Sequence, residues 1–469
     1  MPDTMSNIMI ENRTFDELKI GDTASLSHTV TQRDIDLFAT VTGDVNPAHV
    51  DPAYAQTDMF HHIIIHGMWG AGLISAVLGT KLPGPGTIYL GQNLRFRHPV
   101  NIGDTITATL TVSEKKPEKG DVILDCVCTN QDGKAVITGT ATTRAPTEKI
   151  RRPRVTMPDV VVGRHDAMGA ILGRANGGTP VPTAVVYPVD AISLAATLDA
   201  ATAGLITPIL IGPVALIRGM AAEHHLDISA CRLLPAATAQ DAVAQAVALA
   251  RGGAAKLLMK GDPHTDILMH EVIAAGTGLR AASTISHVYL MDVPGYPRLL
   301  LVTDAAINIT PNLATKAGII QNAINLAHVI GIATPRVAIL AAVETINPRM
   351  QATLDAAALC KMADRRQITG GLLDGPLAFD NAVNEAAAKD KGITSPVAGK
   401  ADILLVPDLE AGNILAKQLT FLSGAQAAGV VVGAMVPIIL TSRADGAATR
   451  LASCALGVLL ARAATKPPA

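Results

Sequence analysis

Residues 38–55 read FATVTGDVNPAHVDPAYA and crowd Asp44, Asn46 and His49 around one proline. A carboxylate and an imidazole this close together can hold a water and take a proton from it. The Asn46 amide can bond local backbone and hold the turn. A little further on, HHIIIHGMWGAGLISAVLG is almost wholly apolar from Ile64 to Leu78, and a helix apolar all round is a buried one. Starting at His66-Gly67, it would present free backbone N–H groups that can polarise a carbonyl or stabilise an oxyanion. An acid, an imidazole and oxyanion donors are the parts needed to add water next to a carbonyl. Taken alone, the same residues also fit a turn in which Asp44 and Asn46 cap backbone and His49 is a surface residue.

A second constellation lies in PIILTSRADGAATR at 437–450. PIILT reads as a strand end, and Ser442, Arg443 and Asp445 lead into a helix starting near Gly446. A strand end followed by a helix N-terminus is where α/β folds bind anions, and arginine matches phosphate geometry. A plain N-cap fits the same residues. His264 and Thr265 in KGDPHTD, Asp304 at a strand end, and Asp374 beside GPLAF are further candidates. Each also reads as a structural histidine or a turn cap. No GxGxxG or GxxxxGK[ST] fingerprint opens a helix.

The elements that must position these residues are legible in outline. TQRDIDLFATVTG has Thr31 and Asp34 at capping-box spacing, with Gly43 as the helix stop. Asp44 and His49 therefore fall just outside that helix. Four alternating strands follow between about residues 87 and 144, separated by turn signals such as EKKPEKGD and QDGK. Beyond residue 180 short apolar runs (AVVYP, PILIGP, KLLMKG, RLLLVTD, RVAILAA, DILLVP, GVVVGA) alternate with Ala-rich helices, the pattern of βαβ units and a mostly parallel sheet. The chain thus joins an α+β domain (1–148) through a Pro- and charge-bearing linker (149–180) to a larger α/β unit (181–469).

At 469 residues with 49% hydrophobic content, the chain can fill several cores, and a net charge of −2 with no long basic run argues against nucleic-acid binding. The richest basic patch, IRRPR, reads as linker. The five cysteines are scattered; Cys126 and Cys128 share one strand face, so neither a disulfide framework nor a zinc site is expected. No metal is expected at any of these sites. The N-terminus shows no signal-peptide core, and GVVVGAMVPIIL is short for a membrane span. A cytoplasmic protein without membrane partners is expected.

Residues 10–145, through FATVTGDVNPAHVDPAYA, IIIHGMWGAGLIS and PGPGTIYLGQNLRFRHPVNIGDTITATLTV, resemble the MaoC-like, (R)-specific enoyl-CoA hydratase family. The resemblance implies a hot-dog fold, a sheet wrapped around the helix that starts at His66-Gly67. It implies that Asp44 and His49 activate a water against C3 of a 2-enoyl-CoA, that the Gly67 N–H binds the thioester oxygen, and that Asn46 shapes the loop, with His66 beside the substrate. Trp69 stands where many relatives carry an aliphatic residue; a bulky indole there would shorten or reshape the acyl tunnel, and ordinary core packing fits it equally well.

Residues 165–469, through KGDPHTD, STISHVYLM, VTDAAINITP, DGPLAFDNAV, SPVAGKADILLVPDLEAGN and the Ser442-Arg443 string, resemble the phosphate acetyl/butyryltransferase family. The resemblance implies a two-subdomain α/β fold (isocitrate-dehydrogenase-like), with the second subdomain inserted at about 300–437. It implies acyl transfer between CoA and inorganic phosphate without an organic cofactor. Ser442 and Arg443 would bind phosphate or acyl phosphate, and an aspartate would help deprotonate the CoA thiol. Acetyl-type members commonly carry an acid where this chain has Thr449, so the role of Asp445 is open. Together the resemblances imply a bifunctional, homo-oligomeric enzyme acting on enoyl-CoA, acyl-CoA and phosphate. Two other readings stay open: a phosphate acyltransferase whose hot-dog half only binds acyl-CoA or builds the oligomer, and a hydratase with a ligand-sensing C-terminal half.

Overall fold

A computed structural model describes residues 9–155, 157, 160, 166–281, 284–441 and 445–464. The chain forms two compact units, Met1–Val162 and Gly163–Ala469.

The first unit contains β1 (Met9–Glu11), β2 (Thr23–Thr29), α1 (Gln32–Thr42), α2 (Pro47–Val50), α3 (Pro52–Ala55) and α4 (Gly67–Thr80). The strands β3 (Ile88–Phe96), β4 (Thr105–Lys116), β5 (Asp121–Thr129), β6 (Ala135–Arg144) and β7 (Arg151–Pro153) follow. Five of them make one antiparallel sheet in the order β2-β4-β5-β6-β3. Its inward positions (Ile106, Ala108, Leu110, Leu124, Cys126, Cys128) close on α4, which buries Leu73, Ile74, Val77 and Leu78. A sheet wrapped on a buried apolar helix is the expected hot-dog arrangement. The alternation of β4, with every second residue buried, gives the sheet its inner face. Burial pushes the Cys126 and Cys128 thiols up to about 12 and leaves them protonated packing groups.

The second unit begins with α5 (Asp166–Ala175), β8 (Val181–Val186), α6 (Ala191–Thr202), β9 (Ile206–Gly212), α7 (Val214–Glu223), β10 (Arg232–Pro235), α8 (Ala239–Arg251), β11 (Leu257–Lys260) and α9 (Thr265–Ile273). It continues with β12 (Ser286–Asp292), β13 (Leu300–Thr303), α10 (Leu313–Val329), β14 (Arg336–Leu340), α11 (Gln351–Asp364), β15 (Leu372–Leu377), α12 (Phe379–Val383), α13 (Glu385–Asp390) and β16 (Ile403–Leu405). It closes with α14 (Leu409–Phe421), β17 (Gln426–Val432), β18 (Ile438–Ile439) and α15 (Ala447–Ala464). One 11-stranded sheet runs β10-β9-β8-β11-β18-β17-β12-β13-β16-β14-β15. It is parallel except around β12, which is antiparallel to both neighbours, and at the β17–β18 contact.

The strand before residue 300, β12, pairs with β13 and β17 rather than with β11. The stretch read as linker, 149–180, is not bare: β7 pairs with β1 in the first unit, and α5 packs on α15 in the second. Both are held by partners distant in sequence, which composition does not reveal.

Candidate active sites

In the first unit the polar turn is built by capping. The Thr31 hydroxyl and Asp34 carboxylate form the reciprocal box at the start of α1, and Gly43 ends it at φ 74°. Asp44 follows at once, and its Oδ1 accepts the Asn46 N–H at 3.3 Å. Asn46 caps α2, its Oδ1 accepting from the Ala48 N–H at 3.2 Å, with Pro47 in the first turn. That short helix carries His49.

The His49 Nδ1 donates to the Ile64 carbonyl at 2.8 Å. A carbonyl only accepts, so the neutral ring keeps its lone pair on Nε2. His66 is buried and donates from Nε2 to the Asp44 carbonyl at 2.9 Å, while its Nδ1 has no partner among the described residues. The two imidazoles stack with centroids 4.0 Å apart, and Phe38 backs His66 at 4.9 Å. Asp44, His49 and His66 bring one ligand-type atom each within 4.8 Å of one another. A carboxylate and two imidazoles this close together can hold a water, and their types are also those that could hold a divalent ion.

A cavity of about 310 Å³ opens beside this cluster, lined by His49, His66, Gly67, Trp69, Phe96 and Ile137 among others. Gly67 is the first residue of α4, and a Cβ there would sit 3.2 Å from the Phe96 ring. Glycine therefore leaves the helix start open to the cavity. Trp69 lines the same cavity, its indole set edge-on to His28 at 5.3 Å, and His28 pairs with Asp34 at 3.0 Å. Asp44 faces a neighbouring groove of about 490 Å³ with Phe38, Met68, Tyr89 and Gln92.

In the second unit a cavity of about 460 Å³ is built from five segments, with Ala306 after β13 and Leu409 and Asn413 of α14 supplying part of its wall. The β11–α9 turn gives Lys260, Asp262, His264 and Thr265; β12 gives His287 and Tyr289; the end of β18 gives Leu440 and Thr441. Gly261 is required at that turn, since a Cβ would clash with the Val186 and Tyr187 carbonyls. The start of α9 has His264 at its cap position with no side-chain bond to the first turn, so its N–H groups are available to an anion. Lys260 is buried and donates to the Gly261 and Pro263 carbonyls at 3.1 Å each.

Ser442 and Arg443 lie outside the described residues. Thr441 and Asp445 flank them and are bridged by one buried guanidinium. Arg450 donates from its Nη1 to the Thr441 Oγ1 and from its Nε to the Asp445 carbonyl, both at 3.1 Å. The Asp445 carboxylate acts electrostatically on Tyr289, whose hydroxyl is raised first by burial and then by that charge. Thr449 lies on α15, its carbonyl accepting from Ser453.

Of the expected residues, His264 and Thr265 line the cavity. Asp304 does not; it is buried beneath, accepting the Ala306, Ile307 and Asn308 N–H groups. Asp374 sits on β15, also outside the lining, accepting the Gly375 N–H at 2.9 Å. The reading of single residues missed His287, Tyr289, Lys260 and Arg450. His287 is fully buried with neither ring nitrogen partnered among the described residues, and burial lowers it to about 4, with the Asp304 carboxylate pulling the other way. The available signal was a lone histidine at the start of the apolar run VYLM in STISHVYLM.

Comparison with known proteins agrees with this division. A family model described as "MaoC like domain" matches residues 19–129, and one described as "Phosphate acetyl/butaryl transferase" matches 235–458. A phosphate acetyltransferase of Rhizobium meliloti is 58% identical over 291 residues, spanning 62% of this chain and 92% of that protein. The crystal structure of a branched-chain phosphotransacylase from Enterococcus faecalis V583 covers 60% of this chain and 99% of its own, with 28% identity and a TM-score of 0.53. An (R)-hydratase from Pseudomonas aeruginosa, in unliganded form, is 44% identical over 33% of this chain and all of its own, with a TM-score of 0.32. The chain belongs to the phosphate acetyl/butyryltransferase family and carries a MaoC-like domain in the same polypeptide.

Proposed function

We propose that the chain is a bifunctional acyl-CoA enzyme. The second unit transfers an acyl group between CoA and inorganic phosphate, as its membership in the family and the anion-ready cavity at the start of α9 support. The first unit hydrates 2-enoyl-CoA to (R)-3-hydroxyacyl-CoA. The observation that carries hydration is the convergence of Asp44, His49 and His66 beside an open helix start at Gly67.

In that site the His49 Nε2 takes a proton from a water whose oxygen bonds to C3 of the enoyl thioester. The Gly67 N–H holds the thioester oxygen as negative charge gathers there, and the proton taken by His49 is delivered to C2, so that the ring ends neutral, with Asp44 helping to hold the water. Trp69 lines the apolar cavity, where an acyl chain would meet it. CoA and phosphate enter as substrates, and no organic cofactor is part of the proposal. A reducing, cytoplasmic setting suits five free cysteines. The edge strand β3 leaves Ile88, Leu90 and Phe96 exposed, and a second copy pairing along it would make a homo-oligomer.

The test is direct. Purified protein is given acetyl-, propionyl- or butyryl-CoA with and without phosphate, and free thiol is measured; crotonyl-CoA is followed separately by loss of enoyl absorbance. Phosphate-dependent thiol release and hydration are both expected. Absence of the first removes the acyltransferase reading, and absence of the second leaves the MaoC-like domain a binding or assembly module.

A further inference from the structure

We propose that His287 is the acid–base group of the acyl-transfer cavity: its ring takes the proton of the CoA thiol and passes it to the departing phosphate. This rests on the acyltransferase reading of that cavity.

Buried polar groups are nearly always hydrogen-bonded, and an exception calls for a reason. His287 is wholly buried, and both ring nitrogens are unpartnered among the described residues. The residue nevertheless borders the cavity, so a ligand group seated there is the partner the proposal assigns to the ring. Its position is fixed: Tyr289 meets it edge-on at 4.4 Å and 69°, and the Thr303 Oγ1 donates to its carbonyl at 2.8 Å. On β17 a Cβ at Gly429 would stand 3.0 Å from the His287 Nε2. Only glycine leaves that space to the ring without crowding it.

The other groups suit the task less well. Lys260 carries only donors as an ammonium, and two of them meet the Gly261 and Pro263 carbonyls. His264 is exposed and Asp262 partly so, so solvent competes for both. A neutral imidazole accepts at one nitrogen and donates at the other. Burial keeps the resting ring neutral and its lone pair available. The titratable groups around it are Asp304 beyond β13, Tyr289 on its own strand, Lys260, Asp262 and His264 from the β11–α9 turn, and Asp445 acting on Tyr289.

Protons and electrons balance. The S–H proton moves to a His287 nitrogen, and the thiolate sulfur bonds to the acyl carbon. The bond from that carbon to the phosphate oxygen breaks, with the electron pair leaving on oxygen. The imidazolium then gives its proton to the phosphate and ends neutral. Nothing is oxidised or reduced, and the opposite direction reverses each step.

Phosphate-dependent thiol release from butyryl-CoA is measured on the full-length native chain, His287→Gln and His287→Ala. The Gln variant keeps a donor and most of the volume but no base. Its kcat is expected to fall by about 10²–10⁴-fold, while acetyl phosphate still raises its Tm as it does for the native chain. Added imidazole is expected to restore part of the activity of the Ala variant, more so as pH rises and imidazole becomes neutral. Native-like kcat in the Gln variant overturns the proposal. So does loss of activity together with loss of the acetyl phosphate stabilisation, which marks a structural role. Should the Ala variant fail to fold, the Gln measurements decide alone; should it fold and imidazole restore nothing, the proposal is overturned. A native chain that releases no thiol overturns the acyltransferase reading and this proposal with it, and is told apart because the native protein itself is silent.

Discussion

The two sites are built in opposite ways. In the first unit the acid, the two imidazoles and the open helix start come from one stretch, Asp44 to Gly67, folded by consecutive caps, and only Arg97 and His98 bring charge or an imidazole to the cavity from elsewhere, just after β3. In the second, the cavity draws on β11–α9, β12, the segment after β13, α14 and the end of β18, segments remote in sequence that the fold brings together. A contiguous site depends on local turn chemistry. A dispersed one depends on packing, so it is more easily disturbed from a distance.

The largest effect expected is at His49. His49→Ala should lower hydration by about 10²–10⁴-fold and leave phosphate-dependent acyl transfer unchanged. Collapse of both activities at native Tm would show that the sites are not independent. Gly67→Ala is next: a Cβ pressed on Phe96 displaces the N–H without deleting it. Hydration should drop roughly tenfold, less than for loss of an oxyanion donor, with the crotonyl-CoA assay as the check. Arg450→Met leaves the Thr441 hydroxyl and Asp445 carbonyl without that partner. It should destabilise the second unit by about 1–3 kcal/mol in denaturant unfolding and weaken acyl transfer, with hydration untouched. Equal loss of both activities would contradict the comparison.

The smallest effect concerns pH. His287 is held near 4 by burial, against about 6.5 for an unfolded histidine. Between those values the unfolded chain binds the extra proton, so its contribution to stability falls as pH falls from about 6.5 towards 4. His287→Gln should flatten the Tm of the second unit over that window, as read by calorimetry. An unchanged slope would assign the acid sensitivity elsewhere.

The same contrast governs what the sequence reveals. The Thr31–Asp34 box, the Gly43 stop and the helix start at Gly67 are local signals, and the structure has each of them. His66 was placed by its position before Gly67, but its stacking on His49 was not visible, because ring contacts depend on how the turn folds back. In the second unit the apolar runs mark the strands, yet nothing local says that β12 pairs with β17 rather than β11. His287 escaped notice for the same reason: what isolates its ring is a glycine on another strand.

Arg450 sits in the first turn of α15, a few residues beyond the Ser442-Arg443 string. One planar fork spans two acceptors separated by four positions of chain. A lysine there would keep the charge but, with a single ammonium on a flexible stem, would lose the rigid two-point reach. In the divergence of such chains this position should tolerate neither a neutral residue nor the commonest like-charged exchange. Its identity would then mark a competent anion site more faithfully than the cavity's own surface residues.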